Sequence, residues 1–476
     1  MTRRRATTAV VMVMSLAAIT AGAWGLSKWR PFEHDTSDID WPANVQPLID
    51  YIEEVTGLRF RDAIDFEFIS QKDEYDDRVL GPAQEYSADA RAAIATDEAV
   101  GRALGLWAGD TSLVDSFDTI NSAAPRPVSW LPDENVMLIN ALNERAILQP
   151  YIRADLIVYL TQALAQQHFH LVERLRAAQT SQEYDATAAV YLGFALWVHD
   201  QYIDDLSASD HEDYDFESAA QNDEYVATVD SVPATFRAIR IAFQVLGPGF
   251  ITALAEDDTA LVLRALHEHI PVAMDQVSLP AAKYLRNDAL ESVAAPPGPA
   301  RAAIRYSEQL GPFRLFLMFV TGLPANVALT ASDGWGNDRF TAYELDGRVC
   351  LDVHLVADSP ADADRMDAAM NRWAFARPSA ADALVGRKGV NLFASVCDPG
   401  TDAEQPIATD DEIEQYFGRG ALLRQQALDT GKPALAECVA TEFYAQFTID
   451  QISSASSDID FDAELAGISQ DCRNSV

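Results

Sequence analysis

The sequence predicts an α+β protein, predominantly α-helical, with a small β-β-α-β domain and a helical C-terminal tail. Three observations carry that prediction. Long stretches repeat apolar residues at three- and four-residue spacing. An Asp346-Gly347 pair sits between two strand-like runs and signals a tight hairpin. The residues after 401 are rich in Ala, Leu and acids. The chain has 476 residues, 49% of them hydrophobic, which is ample material for a buried core. Its 73 acidic side chains outnumber 35 basic ones, giving a formal charge of −38. Such a surface excludes non-specific nucleic-acid binding, which Lys and Arg carry by displacing counterions from phosphates. It also resists anionic lipid and keeps the molecule soluble by self-repulsion.

Residues 1–30 differ from the rest. Arg3, Arg4 and Arg5 precede an uncharged run from Ala6 to Ser27, which ends at Lys28 and Arg30. That run is long enough to cross a bilayer as a helix, and Trp24 and Trp29 suit a membrane interface. Ala21-Gly22-Ala23 also fits a signal-peptide cleavage site. The expectation is a transmembrane anchor, or a signal peptide cleaved near Ala23. The arginines favour an N-terminus inside the cell, with the body outside the cytoplasmic membrane. Set apart from this basic leader, the body has 30 basic and 73 acidic residues, a formal charge of −43. In an oxidising compartment Cys350, Cys397, Cys438 and Cys472 can form disulfides. Four cysteines allow three pairings; proximity favours 350–397 and 438–472. The absence of CxxC and of Cys/His clusters argues against structural zinc.

An acidic tether at 31–46 leads into an α-rich body at 47–332. Leu48, Ile49, Ile52 and Val55 repeat at helical spacing, and Gly57 follows as a stop. Ala63 to Ser70 alternates as a strand with one wet face, and Asn135 to Asn140 reads as a short buried strand. Helices are predicted over Ala88–Trp107, Tyr151–Ala178 (the longest uninterrupted pattern), Ser181–Asp205, 232–256 and 258–270. The segment 207–226 reads as a solvated acidic loop, and Ala294 to Pro299 as a linker. Phe313 to Val320 reads as a core helix, because Arg314 and Pro324 make it too short to span a membrane.

A small α/β domain is expected at 334–400. Phe340–Leu345 and Arg348–Val356 form the hairpin. Ser359-Pro360-Ala361-Asp362 supplies an N-cap, a first-turn proline and a capping acid, opening a helix that buries Met366, Met370 and Trp373. Val390–Cys397 adds a third strand. Residues 401–476 form the helical tail.

No Gly-rich phosphate loop, G-x-S-x-G elbow or HExxH is present in the chain. The stretch Arg153 to Phe169 (RADLIVYLTQALAQQHF) nevertheless resembles a segment of a family of exported bacterial proteins described as zinc metallopeptidases, R-A-x-L-V-H-E-L-T-H-A-L-Q-D-Q-H-F. Four further landmarks are similar to that family: Thr56-Gly57-Leu58-Arg59-Phe60, Ala103-Leu104-Gly105-Leu106, Gln276-Val277 with Pro280 and Lys283-Tyr284-Leu285, and Gly334-Trp335-Gly336-Asn337-Asp338-Arg339-Phe340. The resemblance spans roughly residues 50–400 and implies a metallopeptidase-like fold for the helical body. In the family, two histidines one helical turn apart hold zinc, and the glutamate between them acts as general base. Here those positions carry Val158 and Gln162, with Tyr159 in place of the glutamate. The third family ligand aligns with Tyr191. Valine has no ligating atom, a carboxamide is a poor zinc ligand, and a tyrosine with an ordinary pKa near 10 is a poor base. The resemblance therefore implies a degenerate member with zinc lost: a catalytically inactive homologue that binds a protein or peptide partner, or scaffolds an assembly, in the bacterial cell envelope.

Two alternatives stand beside it: a hydrolase with relocated metal ligands, drawn from His168, His199 and Asp200, and a purely structural envelope protein. His168 and His170, two apart, cannot chelate together from a regular helix, and His168 is expected to make a structural hydrogen bond. His199 and Asp200, with Asp204 and Asp205, read as a solvated helix end rather than a cation site. Asp458 to Glu464 lacks the calcium-loop glycine and terminal glutamate and reads as an acid-capped helix start. Weak calcium association is the one cofactor expectation, at Asp210 to Glu217.

Overall fold

The computed structural model describes residues 39–81, 87–453 and 459–475. The expected anchor or signal, the first part of the tether and Asp458 lie outside the described residues. The architecture is α+β and mainly helical, with a five-stranded sheet and a helical C-terminal segment. The chain divides into two compact units that alternate along the sequence. One comprises Met1–Glu85, Thr119–Ala177 and Tyr191–Val229; the other comprises Tyr86–Asp118, Ala178–Val190 and Asp230–Val476.

In the first unit a three-stranded sheet runs in the order β1 (Asp65–Phe68), β3 (Val136–Ile139), β2 (Val128–Leu131). β1 lies parallel to β3, and β2 is antiparallel to it. The first helix, Gln46–Thr56, ends where Gly57 takes a left-handed conformation and returns its N–H to Glu53 O, a geometry that glycine adopts at no steric cost. The long helical pattern beginning at Tyr151 does not run unbroken to Ala178. It forms Pro150–Phe169 and Leu171–Ala177, separated by His170 in a left-handed conformation. Gln166 explains the break: its side chain accepts from Val172 N (2.8 Å), so that N–H leaves the regular helical ladder.

The acidic segment expected as a loop is instead the helix Ala208–Val229. Ser207 caps it, accepting from Asp210 N, and Tyr214, Ser218, Tyr225 and Val229 form a sparse buried stripe along it. The acids occupy the remaining faces, where water solvates them.

The second unit holds the other sheet, ordered β4 (Ala303–Glu308), β5 (Trp335–Leu345), β6 (Arg348–Ala357), β8 (Asn391–Cys397), β7 (Leu384–Lys388). All its pairings are antiparallel. The expected β-β-α-β core is present, and two edge strands, β4 and β7, extend it. At the hairpin both Asp346 (φ 53°) and Gly347 (φ 79°) are left-handed, as a type I′ turn requires. Cys350 and Cys397 are direct register partners on β6 and β8 and are disulfide-bonded. The second disulfide, Cys438–Cys472, joins the helices Pro433–Gln446 and Phe461–Ser475.

One face of the sheet buries Leu351, Val353, Leu355, Leu392 and Val396, with the helices Ala88–Leu104 and Pro360–Ala376 in contact with these strands. Ser359 caps the latter helix, accepting from Asp362 N, with Pro360 in the first turn. Ser359→Ala is expected to lower the unfolding free energy by about 1 kcal/mol, the usual cost of a lost N-cap, measurable by urea titration.

The C-terminal segment is core rather than appendage. The helix Asp410–Thr430 packs along Ala234–Asp257, and Gly420 O would lie 3.0 Å from a Cβ at Gly249. The helix Ala234–Asp257 is the one among the described residues long and apolar enough to cross a membrane. Its buried residues, from Thr235 to Leu254, and its packing against Asp410–Thr430 fit a core helix.

Candidate functional site

The helix Pro150–Phe169 is buried on nearly every side, so what occupies its faces decides what chemistry it offers. Val158, Tyr159 and Gln162, at the positions where the resemblance calls for a ligand, a base and a ligand, are all buried. Tyr191, from the helix Ser181–Asp204, is 1% exposed, and its hydroxyl donates to the backbone carbonyl of Gln162 at 3.0 Å. Burial holds the Tyr159 and Tyr191 phenols well above their ordinary value, with Asp155 adding to the effect at Tyr159 and Glu173 at Tyr191. Both phenols are therefore neutral and unsuited to act as bases at neutral pH.

One turn before Tyr159 lies Asp155, which is 5% exposed. Burial pushes its carboxyl up to about 8, against the pull of the Val128 backbone N–H. Its charge neighbourhood is mostly phenolic: it raises the pKa of Tyr151 and Tyr159 on its own helix, of Tyr214 on Ala208–Val229 and of Tyr75 on Lys72–Leu80. Tyr75 donates to Ser129 Oγ (2.9 Å), and Arg126 donates to Asn121 O. In the sequence Asp155 is marked only as the acid that precedes the uncharged run Leu156 to Gln167.

The histidines do not assemble. His168 Nε2 donates to Arg59 O at 2.7 Å, the structural bond expected of it, while His170 is exposed at the helix break. His199 engages different partners: Nδ1 donates to Asp200 Oδ1 (3.1 Å), and Nε2 shares a hydrogen bond with the Tyr214 hydroxyl (3.3 Å). Asp205 accepts from Tyr51 (3.2 Å), and Asp210 pairs with Arg153 (2.6 Å). Among the described residues no group of three or more His, Cys, Asp or Glu side chains is arranged to hold a metal ion. Asp460 caps the last helix, accepting from Ala463 N (3.2 Å), as an acid-capped start predicts.

The other sequence landmarks have local structural roles. Gln167 Oε1 accepts from Arg61 N (2.8 Å) while its Nε2 donates to Asp62 O (2.9 Å). Together with the His168 bond, this fastens the Thr56–Phe60 landmark to the end of the Pro150–Phe169 helix. In the second unit, Leu104 O accepts from Trp373 Nε1 (2.9 Å), and Leu106 O accepts from Thr235 Oγ1.

The Gly334–Phe340 landmark builds a buried cap. Asp338, fully buried, accepts from Trp335 Nε1 (2.8 Å), Leu310 N (2.8 Å) and Gly311 N (2.9 Å). The last two donors stand at the start of the helix Gly311–Val320, where a carboxylate meets the positive end of the helix dipole. Lys283 lies beside Asp358, Asp288 (3.0 Å) and Asp275 (3.7 Å). Burial, which pulls its ammonium down, is outweighed by these carboxylates, so Lys283 stays charged. Asp275 is pushed up to about 7 by its own burial. Glu437, also pushed up to about 7 by burial, accepts from Ala281 N (2.6 Å) and Ala282 N (2.9 Å).

Residues 302–401, which include the whole five-stranded sheet, match a sequence family described as a domain of unknown function (DUF8575). No curated protein and no solved structure matches the chain.

Proposed function

We propose that this protein is a catalytically inactive relative of the exported zinc metallopeptidases, with a binding or scaffolding role in the cell envelope. One observation carries the reading. Where the resemblance calls for two histidines, a glutamate and a third ligand, the structure has Val158, Gln162, Tyr159 and Tyr191, all buried, with the Tyr191 hydroxyl on the Gln162 carbonyl. A vacated metal site left empty would strand unpaired polar groups at a cost of several kcal/mol; bulk and a backbone hydrogen bond relieve that cost. The structural use of the other landmarks supports the same view, since they would persist for the fold after the chemistry was gone.

Two disulfides fit a body displayed outside the cytoplasmic membrane, held by the N-terminal segment or released by cleavage near Ala23. The relocated-ligand alternative finds no support in geometry, because His168 and His199 engage separate partners.

The test is metal content and peptidase activity of the purified full chain. After incubation with zinc and desalting, the expected zinc content is far below one per chain, with no chelator-sensitive cleavage of an unstructured protein substrate such as casein. Stoichiometric zinc together with cleavage abolished by a chelator would overturn the proposal.

A further inference from the structure

The face of the five-stranded sheet turned away from the helices Ala88–Leu104 and Pro360–Ala376 carries an open groove of about 340 Å³. Pro296, Asp352, Leu384, Gly386, Phe393 and Ser395 are among its walls. Two cross-strand rows form its floor: Leu384–Ser395–Asp352 and Gly386–Phe393–His354. Residues paired across strands share one face. The loop before β4 crosses the same face farther along, where Thr341 Oγ1 donates to Pro296 O (2.6 Å).

Three features of the groove point to a ligand. Phe393 (42% exposed) and Leu384 (70% exposed) are diagonal neighbours on one face and line the same groove, so two large apolar side chains face its opening together. The Phe393 ring is a fixed platform, stacked on His354 at 4.7 Å and 19°, and the His354 ring is held in turn by Asn391 (2.8 Å). Gly386 lies inside a strand, does not have a positive φ, and a Cβ there would meet nothing within 4 Å. Neither backbone conformation nor packing requires glycine at that point. Strand glycines often mark a bulge, a tight bend or a place where another molecule approaches closely, and β7 pairs with β8 without a bulge. A side chain at 386 would stand directly over the space beside Phe393.

The chemistry of the floor selects charge. Asp352 accepts one hydrogen bond, from the Tyr343 hydroxyl (3.1 Å), and lies diagonally beside Phe393. A carboxylate next to an exposed aromatic face attracts a cation with an apolar stem and repels an anion. The groove is too open to enclose a free small molecule, which ordinarily buries most of its surface. A side chain delivered by a polypeptide needs no such enclosure.

We propose that this groove receives a lysine or arginine side chain of a partner polypeptide, its stem lying over Gly386 and Phe393 and its cationic head on Asp352. The test uses the full chain at physiological salt, so that the general acidity of the surface is screened. The probe is a blocked leucine–arginine–leucine peptide, with the leucine–glutamate–leucine peptide and n-butylguanidine as comparators, and binding is read by calorimetry.

The arginine peptide should bind and the glutamate peptide should not. Asp352→Asn should weaken binding about tenfold, the worth of one hydrogen bond to a charged group. Gly386→Val should weaken it at least as much by filling the groove. Asparagine keeps an acceptor for Tyr343, so Asp352→Asn carries the test even if Gly386→Val folds poorly. Absence of binding, or affinity unchanged by Asp352→Asn, overturns the proposal and assigns any binding seen to the acidic surface at large. Equal affinity for n-butylguanidine overturns the polypeptide partner in favour of a free organic cation.

Discussion

Asp338→Ala is expected to lower the unfolding free energy by about 3–5 kcal/mol. The carboxylate is fully buried and satisfies Trp335 Nε1, Leu310 N and Gly311 N. Alanine leaves all three donors without a partner, and each orphaned buried donor costs about 1–3 kcal/mol, less whatever water recovers by entering the space. Removing the charge also removes its favourable interaction with the start of the helix Gly311–Val320. Asp338→Asn should fall in between: its one carbonyl oxygen serves two donors at most, and its amide then confronts the third. Urea unfolding of the full chain measures both variants. A loss below about 1 kcal/mol for the alanine variant would show that the three donors find other acceptors and that the landmark is not a structural joint.

Lowering the pH from 8 to 5 is expected to raise the melting temperature, and Asp155→Asn should flatten that dependence. Burial pushes Asp155 up to about 8, Asp275 and Glu437 up to about 7, and Asp185 up to about 6, whereas a carboxyl in the unfolded chain titrates near 4. Between those values the folded state holds protons that the unfolded state has released. Stability is then full below about pH 4 and declines as pH rises through the folded-state values. Relief of self-repulsion in an acidic chain acts in the same direction, so wild-type behaviour alone does not isolate the buried groups. Asp155→Asn does. Its neutral amide keeps an acceptor for Val128 N–H and has no ionised form to bury. The variant should match the wild type near pH 4 and exceed it increasingly as the pH rises to 8. Parallel pH curves for the two proteins would refute the assignment of Asp155 as a buried, proton-holding carboxyl.

The elements that were legible in the sequence are those whose signals are local. Asp346-Gly347 dictates its turn, Ser359-Pro360 opens its helix, and Gly57 and the spacing of Leu48, Ile49 and Ile52 fix the first helix. What stayed hidden depends on distant partners. The Ala208–Val229 helix buries only Tyr214, Ser218, Tyr225 and Val229, a stripe so sparse that its acids suggest a loop. The absence of Gly and Pro from 207–226 was the better signal. β4 and β7 are edge strands with mostly exposed residues, so they lack the apolar alternation that marks a strand. The break at His170 comes from the Gln166 side chain, which no periodicity reveals. At the candidate site, Val158, Tyr159, Gln162 and Tyr191 stand out in the sequence only through resemblance; their burial and the Tyr191–Gln162 bond arise from the packing of two helices distant in sequence. The sheet groove was invisible in the sequence, because it arises from register between three strands.

The alternation of the two units along the chain has a consequence for biosynthesis. The polypeptide passes between them five times, and the first unit has all of its segments once Val229 is made. By then Tyr86–Asp118 and Ala178–Val190 have also been made, yet both belong to the unit whose remaining segment begins at Asp230. These two pieces include the helix Ala88–Leu104, with buried Ala99, Val100, Ala103 and Leu104, whose strand partners lie beyond residue 300. During elongation that apolar surface waits for more than a hundred further residues before it can be covered. Such a nascent chain leaves that apolar surface uncovered for seconds at ordinary synthesis rates. It also means that no single cut in the gene separates the units into independent products.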